Sequence, residues 1–150
     1  KGLLEKKIKE GNNLLLDGFP RSIRQYETLK NWFDELGIGI DKTIFINIPE
    51  DVTIKRLSAR RTCKKCGKIW NLVTDPIPPT PEKCDCGGEL VQREDDKPEK
   101  IILRLQEYSK NTKPLLELFK KEGILVEVDG NRPIDEIAGD LHKIVEQIKK

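Results

Sequence analysis

The feature that most limits the folds open to this chain is a run of leucines that stops at a turn: Asn13-Leu14-Leu15-Leu16-Asp17-Gly18-Phe19-Pro20-Arg21-Ser22. A short continuous apolar run bounded by turn residues predicts a fully buried strand. In open α/β sheets, ligands bind outside the carboxyl ends of such strands. The residues delivered there are a carboxylate (Asp17), a glycine that lets backbone approach a ligand (Gly18), a rigid turn (Pro20) and a planar cation (Arg21). Asp can hold a hydrated Mg²⁺, and Arg can grip a phosphate with two parallel hydrogen bonds. The ordinary alternative is an Asp-Gly turn followed by a solvated arginine, and these ten residues alone do not decide between the two.

The remaining chain alternates helices and strands. Lys1–Glu10 carries Leu3, Leu4 and Ile8 at helical spacing, with Gly11-Asn12 as a stop. Gln25–Leu36 places Tyr26, Leu29, Trp32, Phe33 and Leu36 on one side of a helix that Gly37 ends. Thr43–Ile48 reads as a second buried strand. Pro49-Glu50-Asp51 then opens a helix to about Arg61, because proline and acids both suit a first turn. Asp96-Lys97-Pro98-Glu99 starts another, with Asp96 as its expected N-cap, and Pro114 must bend or break it. Ile124–Val128 is a third strand, Asp129-Gly130 a turn, and Ile134–Ile148 a closing helix with an apolar seam. His142, the one histidine, reads as a surface or seam residue of that helix. Such alternation predicts a parallel sheet with helices on both faces.

The irregular stretch from Thr62 to Glu94 interrupts this order. Cys63-Lys64-Lys65-Cys66-Gly67 is a zinc knuckle, and Cys84-Asp85-Cys86-Gly87-Gly88 supplies two more thiols. Four cysteines so close together, without a secretory signal, favour a tetrahedral Zn²⁺ site over disulfides. A module this small needs a metal or a crosslink to hold together. Arginines surround it: Arg56 and Arg60, four apart and expected on one helix face, Arg61 before it, Arg93 leaving it and Arg104 beyond. Guanidinium forks suit phosphate oxygens. Singly, each reads equally well as part of a solvated surface. A net charge of +2 leaves phosphate recognition to such local clusters and excludes a strongly basic nucleic-acid scaffold. No apolar run is long enough to cross a membrane.

Together these segments resemble the adenylate kinases, in the long form with a zinc-bearing lid. The resemblance covers essentially the whole chain. It rests on Leu15–Ser22 with Gln25, Arg-Leu-Ser-Ala-Arg-Arg at 56–61, the cysteine knuckles, Arg93-Glu94-Asp95-Asp96, and Val128-Asp129-Gly130. It implies a three-layer α/β fold of the P-loop-kinase kind, with core segments 1–61 and 95–150 and a zinc-ribbon lid at 62–94. It further implies reversible phosphoryl transfer from ATP to AMP, giving two ADP, in a cytoplasmic enzyme that is monomeric at full length. Gly18, Arg21 and Gln25 would hold AMP, and Asp17 would position Mg²⁺ through water. Arg56, Arg60 and the loop at Arg132 would face ATP. Arg60, Arg93 and Arg104 would act on the transferring phosphoryl group, with Arg93 and Arg104 also reaching AMP. Asp95 and Asp96, at the hinge, would pair with lid arginines.

Two departures accompany the resemblance. No Gly-x-x-x-x-Gly-Lys-Ser/Thr loop occurs, so the family's opening portion, its first strand included, is expected to be missing here. With no Met anywhere and an opening that reads as the tail of a helix, the chain is read as part of a longer protein, and alone it is expected to be inert. The last thiol pair is also one residue tighter than the family's, so Cys84 must reach the metal through a bulge, or Asp85 or water completes the shell. Two other functions remain: a uridylate or cytidylate kinase, and a zinc-ribbon module binding nucleic acid through Lys64, Lys65, Lys68 and Trp70. The acidic run Glu94–Asp96 opposes the second, because it would repel a phosphate backbone.

Overall fold

The computed structural model describes residues 2–9 and 13–148. Helix α1 (Gly2–Lys9) forms as expected. The Gly11-Asn12 stop lies outside the described residues. Ser22 caps α2 (Ile23–Glu35), its side chain accepting from the Gln25 N–H, and the helix buries Tyr26, Leu29 and Phe33. Strand β1 (Thr43–Asn47) and strand β5 (Leu125–Asp129) pair in parallel, Thr43 opposite Leu125 and Asn47 opposite Asp129.

Between these strands lie α3 (Glu50–Ala59), the antiparallel strands β2 (Arg60–Cys63), β3 (Ile69–Asn71) and β4 (Leu90–Val91), and α4 (Pro98–Glu107). A π-turn (Tyr108–Thr112) and α5 (Lys113–Lys121) complete the crossover, and α6 (Ile134–Ile148) follows β5. On β5, Leu125 packs toward the Tyr26, Leu115 and Phe119 cluster of α2 and α5. Its neighbour Val126 lines a shallow cavity with Ile144 and Ile148 of α6. Successive strand residues face opposite ways, so helices cover both faces of the sheet. The parallel α/β architecture expected from the alternation is present.

Three expectations need correction. Leu14–Leu16 forms no strand, and Leu15 is 89 % exposed. A run of leucines becomes a buried strand only where another strand hydrogen-bonds to it, and among the described residues none does. For the same reason β1, paired among the described residues only to β5, is not fully buried; Ile46 is 42 % exposed. Helix α3 ends at Ala59 rather than Arg61, because Arg60 turns extended (φ −67°, ψ 138°) and enters the β2 ladder opposite Asn71. Arg56 and Arg60 therefore share no helix face.

At Pro114 the helix is interrupted as expected. Proline lacks the N–H that would continue the ladder, and a turn of wider register precedes it, the Lys113 N–H reaching the Tyr108 carbonyl. His142 lies on the surface of α6, paired with Glu146.

Candidate active site and metal centre

The loop between Asp17 and α2 is knitted by its own groups. The Arg21 Nε–H donates to the Gly18 carbonyl at 2.7 Å, and the Arg21 N–H donates to Gln25 Oε1 at 2.7 Å. Gly18 has φ +67°, a backbone conformation that favours glycine, and a Cβ there would sit 2.8 Å from Arg21 Nη2, so a side chain would displace that guanidinium. The Asp17 carboxylate is exposed beside it. Thr112, in the π-turn, donates from its hydroxyl to the Arg21 carbonyl at 3.0 Å, tying this loop to the long α4–α5 crossover.

At the other end of that crossover three arginines gather around two carboxylates. Strand β2 pairs with β4, Thr62 opposite Val91, which brings the start of β2 beside the turn Glu94–Asp96. Arg60 donates to both Asp96 oxygens, at 2.8 and 2.6 Å, and Asp96 has no solvent exposure. That bond and charge raise the Arg60 guanidinium above its ordinary value. Arg104 Nη1 lies 3.7 Å from Asp96 and 3.5 Å from the Asp95 carbonyl, and Arg93 Nη2 lies 3.9 Å from the Asp95 carboxylate. Asp96 does not cap α4, whose N-cap is Lys97 with no side-chain bond; its carboxylate is turned inward to the arginines instead.

Arg56 donates to the Gly130 carbonyl at 3.1 Å, and its Nε is buried with no partner among the described residues. Arg132 is held by α6, 2.7 Å from Asp140 and 3.8 Å from Glu136, so its guanidinium fastens the loop after β5. Thus Arg60, Arg93 and Arg104 come together, Arg21 and Gln25 form a separate pair, and Arg56 and Arg132 flank the Gly130 turn.

In the inserted module the sulfurs of Cys63, Cys66, Cys84 and Cys86 all lie within 4.8 Å of one another. Cys63 and Cys86 are 3.5 Å apart, and Cys66 and Cys84 are 3.7 Å apart. Zinc–sulfur bonds of ~2.3 Å in a tetrahedron require sulfurs about 3.8 Å apart, so the four thiols are placed to hold one metal ion. Gly88 is part of this fit, since a Cβ there would sit 2.5 Å from the Cys63 sulfur. The Cys66 N–H, against burial and with help from Lys65, draws the Cys63 thiol down to about 6. Burial, then the hydrogen bond to Asp85, pushes Cys84 up to about 12. A metal held there would displace the Cys84 proton to solvent.

The sequence pattern of the adenylate kinase family matches residues 1–124. The chain belongs to the adenylate kinase family. It is 40 % identical over 152 aligned residues to the adenylate kinase of Archaeoglobus fulgidus, spanning 99 % of this chain and 70 % of that protein. It is 44 % identical over 130 residues to that of Caldanaerobacter subterraneus, spanning 86 % and 58 %, and 41 % identical over 151 residues to that of Staphylococcus epidermidis, spanning 98 % and 70 %. The chain thus spans 58 to 70 % of the length of these relatives. Adenylate kinases are phosphotransferases of the nucleoside monophosphate kinase class.

Two side chains of the candidate site and metal centre were invisible as such in the sequence. Thr112 carried no signal, because only the π-turn aims it at the Arg21 loop. Trp70 read as a stacking platform, but it is buried and bonded within the cysteine module.

Proposed function

We propose that this chain supplies most of the catalytic machinery of an adenylate kinase that converts ATP and AMP to two ADP. The observation carrying this reading is the gathering of Arg60, Arg93 and Arg104 around Asp95 and Asp96 at the root of the cysteine module. In the reaction, an AMP phosphate oxygen attacks the γ-phosphorus of ATP and the bond to the β-phosphate oxygen breaks. The protein's task is alignment and neutralisation of spreading negative charge. The three arginines meet it, with Arg93 and Arg104 reaching toward AMP as well. Arg21 and Gln25, on the Gly18 turn, bind the AMP phosphate. Arg56, whose buried Nε keeps a free donor, and the Arg132 loop border ATP.

The exposed Asp17 carboxylate is a hard oxygen donor suited to a hydrated Mg²⁺, which would neutralise ATP phosphate charge when bound. Cys63, Cys66, Cys84 and Cys86 hold a structural Zn²⁺, and segment 62–94 acts as a lid between core segments 1–61 and 95–150. Cysteines outside any disulfide fit a reducing compartment, the cytoplasm, where the full-length enzyme works as a monomer without a nucleic-acid partner. Burial of Trp70, the one aromatic residue of segment 62–94, supports the reading without a nucleic-acid partner. Among the described residues no helix is long and apolar enough to cross a membrane.

A coupled ADP-formation assay tests the reading, run on this chain and on the same sequence extended to the length of its relatives. The extended protein should turn over AMP in preference to UMP and CMP. The chain alone, without a Gly-x-x-x-x-Gly-Lys-Ser/Thr loop, should show none. Arg21→Ala should raise the KM for AMP and leave that for ATP nearly unchanged. A preference for UMP or CMP would reassign the substrate, and robust turnover by the chain alone would overturn the placement of the site.

A further inference from the structure

Trp70 has no part in phosphoryl transfer, yet it sits in the most closely built part of the cysteine module. It lies in the middle of β3 and is 6 % exposed, packed with Cys63, Cys84 and Leu90. Its indole N–H donates to the Cys84 sulfur at 3.2 Å. Lys68 Nζ caps the ring 4.1 Å from its centre and reaches Asp85 Oδ2 at 2.6 Å, while Asp85 Oδ1 accepts from the Cys84 thiol at 3.0 Å. Indole, ammonium and carboxylate thus form a closed clasp around one sulfur.

The two halves of the thiol cluster are oriented differently. In the Cys63-x-x-Cys66 knuckle, the sulfur of Cys63 accepts the backbone N–H groups of Lys65 and Cys66 at 3.4 and 3.5 Å. Cys84-Asp85-Cys86 is one residue too short to repeat that knuckle. Its first sulfur has one backbone donor, the Cys86 N–H, and takes a further side-chain donor from β3. An N–H donor on a thiolate holds its lone pairs in direction and draws off part of its charge, as partners beyond the ligands do in metal sites generally.

We propose that Trp70 is a positioning residue for the metal. Its indole N–H fixes the Cys84 sulfur toward the other three thiols, so that Cys84 rather than Asp85 completes the shell. This rests on the metal reading of the four cysteines, and the experiment separates the two. Co²⁺ is the first probe. Thiolate-to-cobalt charge-transfer absorption in the unmodified protein, at one ion per chain, establishes the thiolate site. Its absence would remove the metal reading itself.

Given that site, Trp70→Phe keeps the apolar volume and deletes the donor. It should weaken Zn²⁺ binding about 10–100-fold in chelator competition. It should also move the charge-transfer band to lower energy, because the Cys84 sulfur becomes richer in electrons. A merely structural tryptophan would not move that band. Trp32→Phe, on α2, should change neither quantity, and Asp85→Asn should leave the thiolate band intensity intact. Should Trp70→Phe fail to fold, the Trp32→Phe protein reports through Trp70 alone, whose emission should change in step with one equivalent of Zn²⁺. An unshifted band with unchanged affinity in Trp70→Phe, or an indole emission indifferent to Zn²⁺, would overturn the proposal.

Discussion

At Asp96 a carboxylate with no solvent exposure faces two guanidiniums, and its value to the fold lies in what its removal would strand. Deleting one member of a buried ion pair costs ~3–5 kcal/mol, because the other charge stays behind uncompensated. Arg60 keeps 24 % side-chain exposure, so water relieves part of that charge. Asp96→Ala should therefore cost about 3 kcal/mol in urea unfolding, the low end of the range. A loss below measurement error would mean the pair is solvated in solution. In the proposed reaction the arginines themselves act on the transferring phosphoryl group. In the protein extended to its relatives' length, Arg60→Lys, Arg93→Lys and Arg104→Lys should each lower kcat far more than they raise either KM. Lysine keeps the charge but loses the fork, and a positioned arginine in phosphoryl transfer is worth on the order of 10³ or more in turnover. Steady-state kinetics with both nucleotides varied decides it; unchanged kcat in all three variants would place the reaction elsewhere.

At the level of elements, α2 and α5 are joined by an apolar contact and a polar one. Phe119 meets Tyr26 edge-on with ring centres 4.9 Å apart, and Leu115 and Phe119 are almost wholly buried beside it. Beyond the rings, Glu122 accepts from the Tyr26 hydroxyl and from Lys30 at 2.9 Å. Those two bonds hold the Glu122 carboxyl below the ordinary carboxylate range. A carboxyl depressed in the folded state stabilises above its unfolded value and loses that contribution as pH falls through the depressed one. Tm should therefore fall as acid passes below the usual carboxylate range, and Glu122→Gln should remove this part of the slope. The contribution is small, because Glu122 is partly exposed and solvent screens it. Identical Tm–pH profiles for the two proteins would refute the link.

Over the whole molecule, two sheets held together by different means share one chain. The β1–β5 sheet with its helices is held by apolar packing, whereas the β3-β2-β4 sheet surrounds a thiol cluster. Structural zinc contributes ~10–16 kcal/mol to folding of small modules. Chelation should accordingly expose the backbone amides of Arg60–Val91 to hydrogen exchange while those of Thr43–Asn47 and Leu125–Asp129 stay protected. Uniform loss of protection would show instead that the two sheets unfold together.

Much of this organisation was already legible in the sequence. The 3.6-residue periodicity, the stop at Gly37, the break at Pro114 and the cysteine spacing are properties of neighbours along the chain, and the turn at Asp17–Arg21 is written in consecutive residues. Only the tertiary structure decided the remainder. Leu14–Leu16 has a strand's composition but no ladder. Arg60 left a helix for a strand because Asn71 pairs with it, and Asp96 gave up capping α4 for an arginine thirty-six positions away. Trp70 is buried in the cysteine module, its indole N–H on the Cys84 sulfur. In each case a local preference of about 1 kcal/mol competed with a partner distant in sequence. Ladder hydrogen bonds and buried charge are larger, and they exist only once the chain has folded.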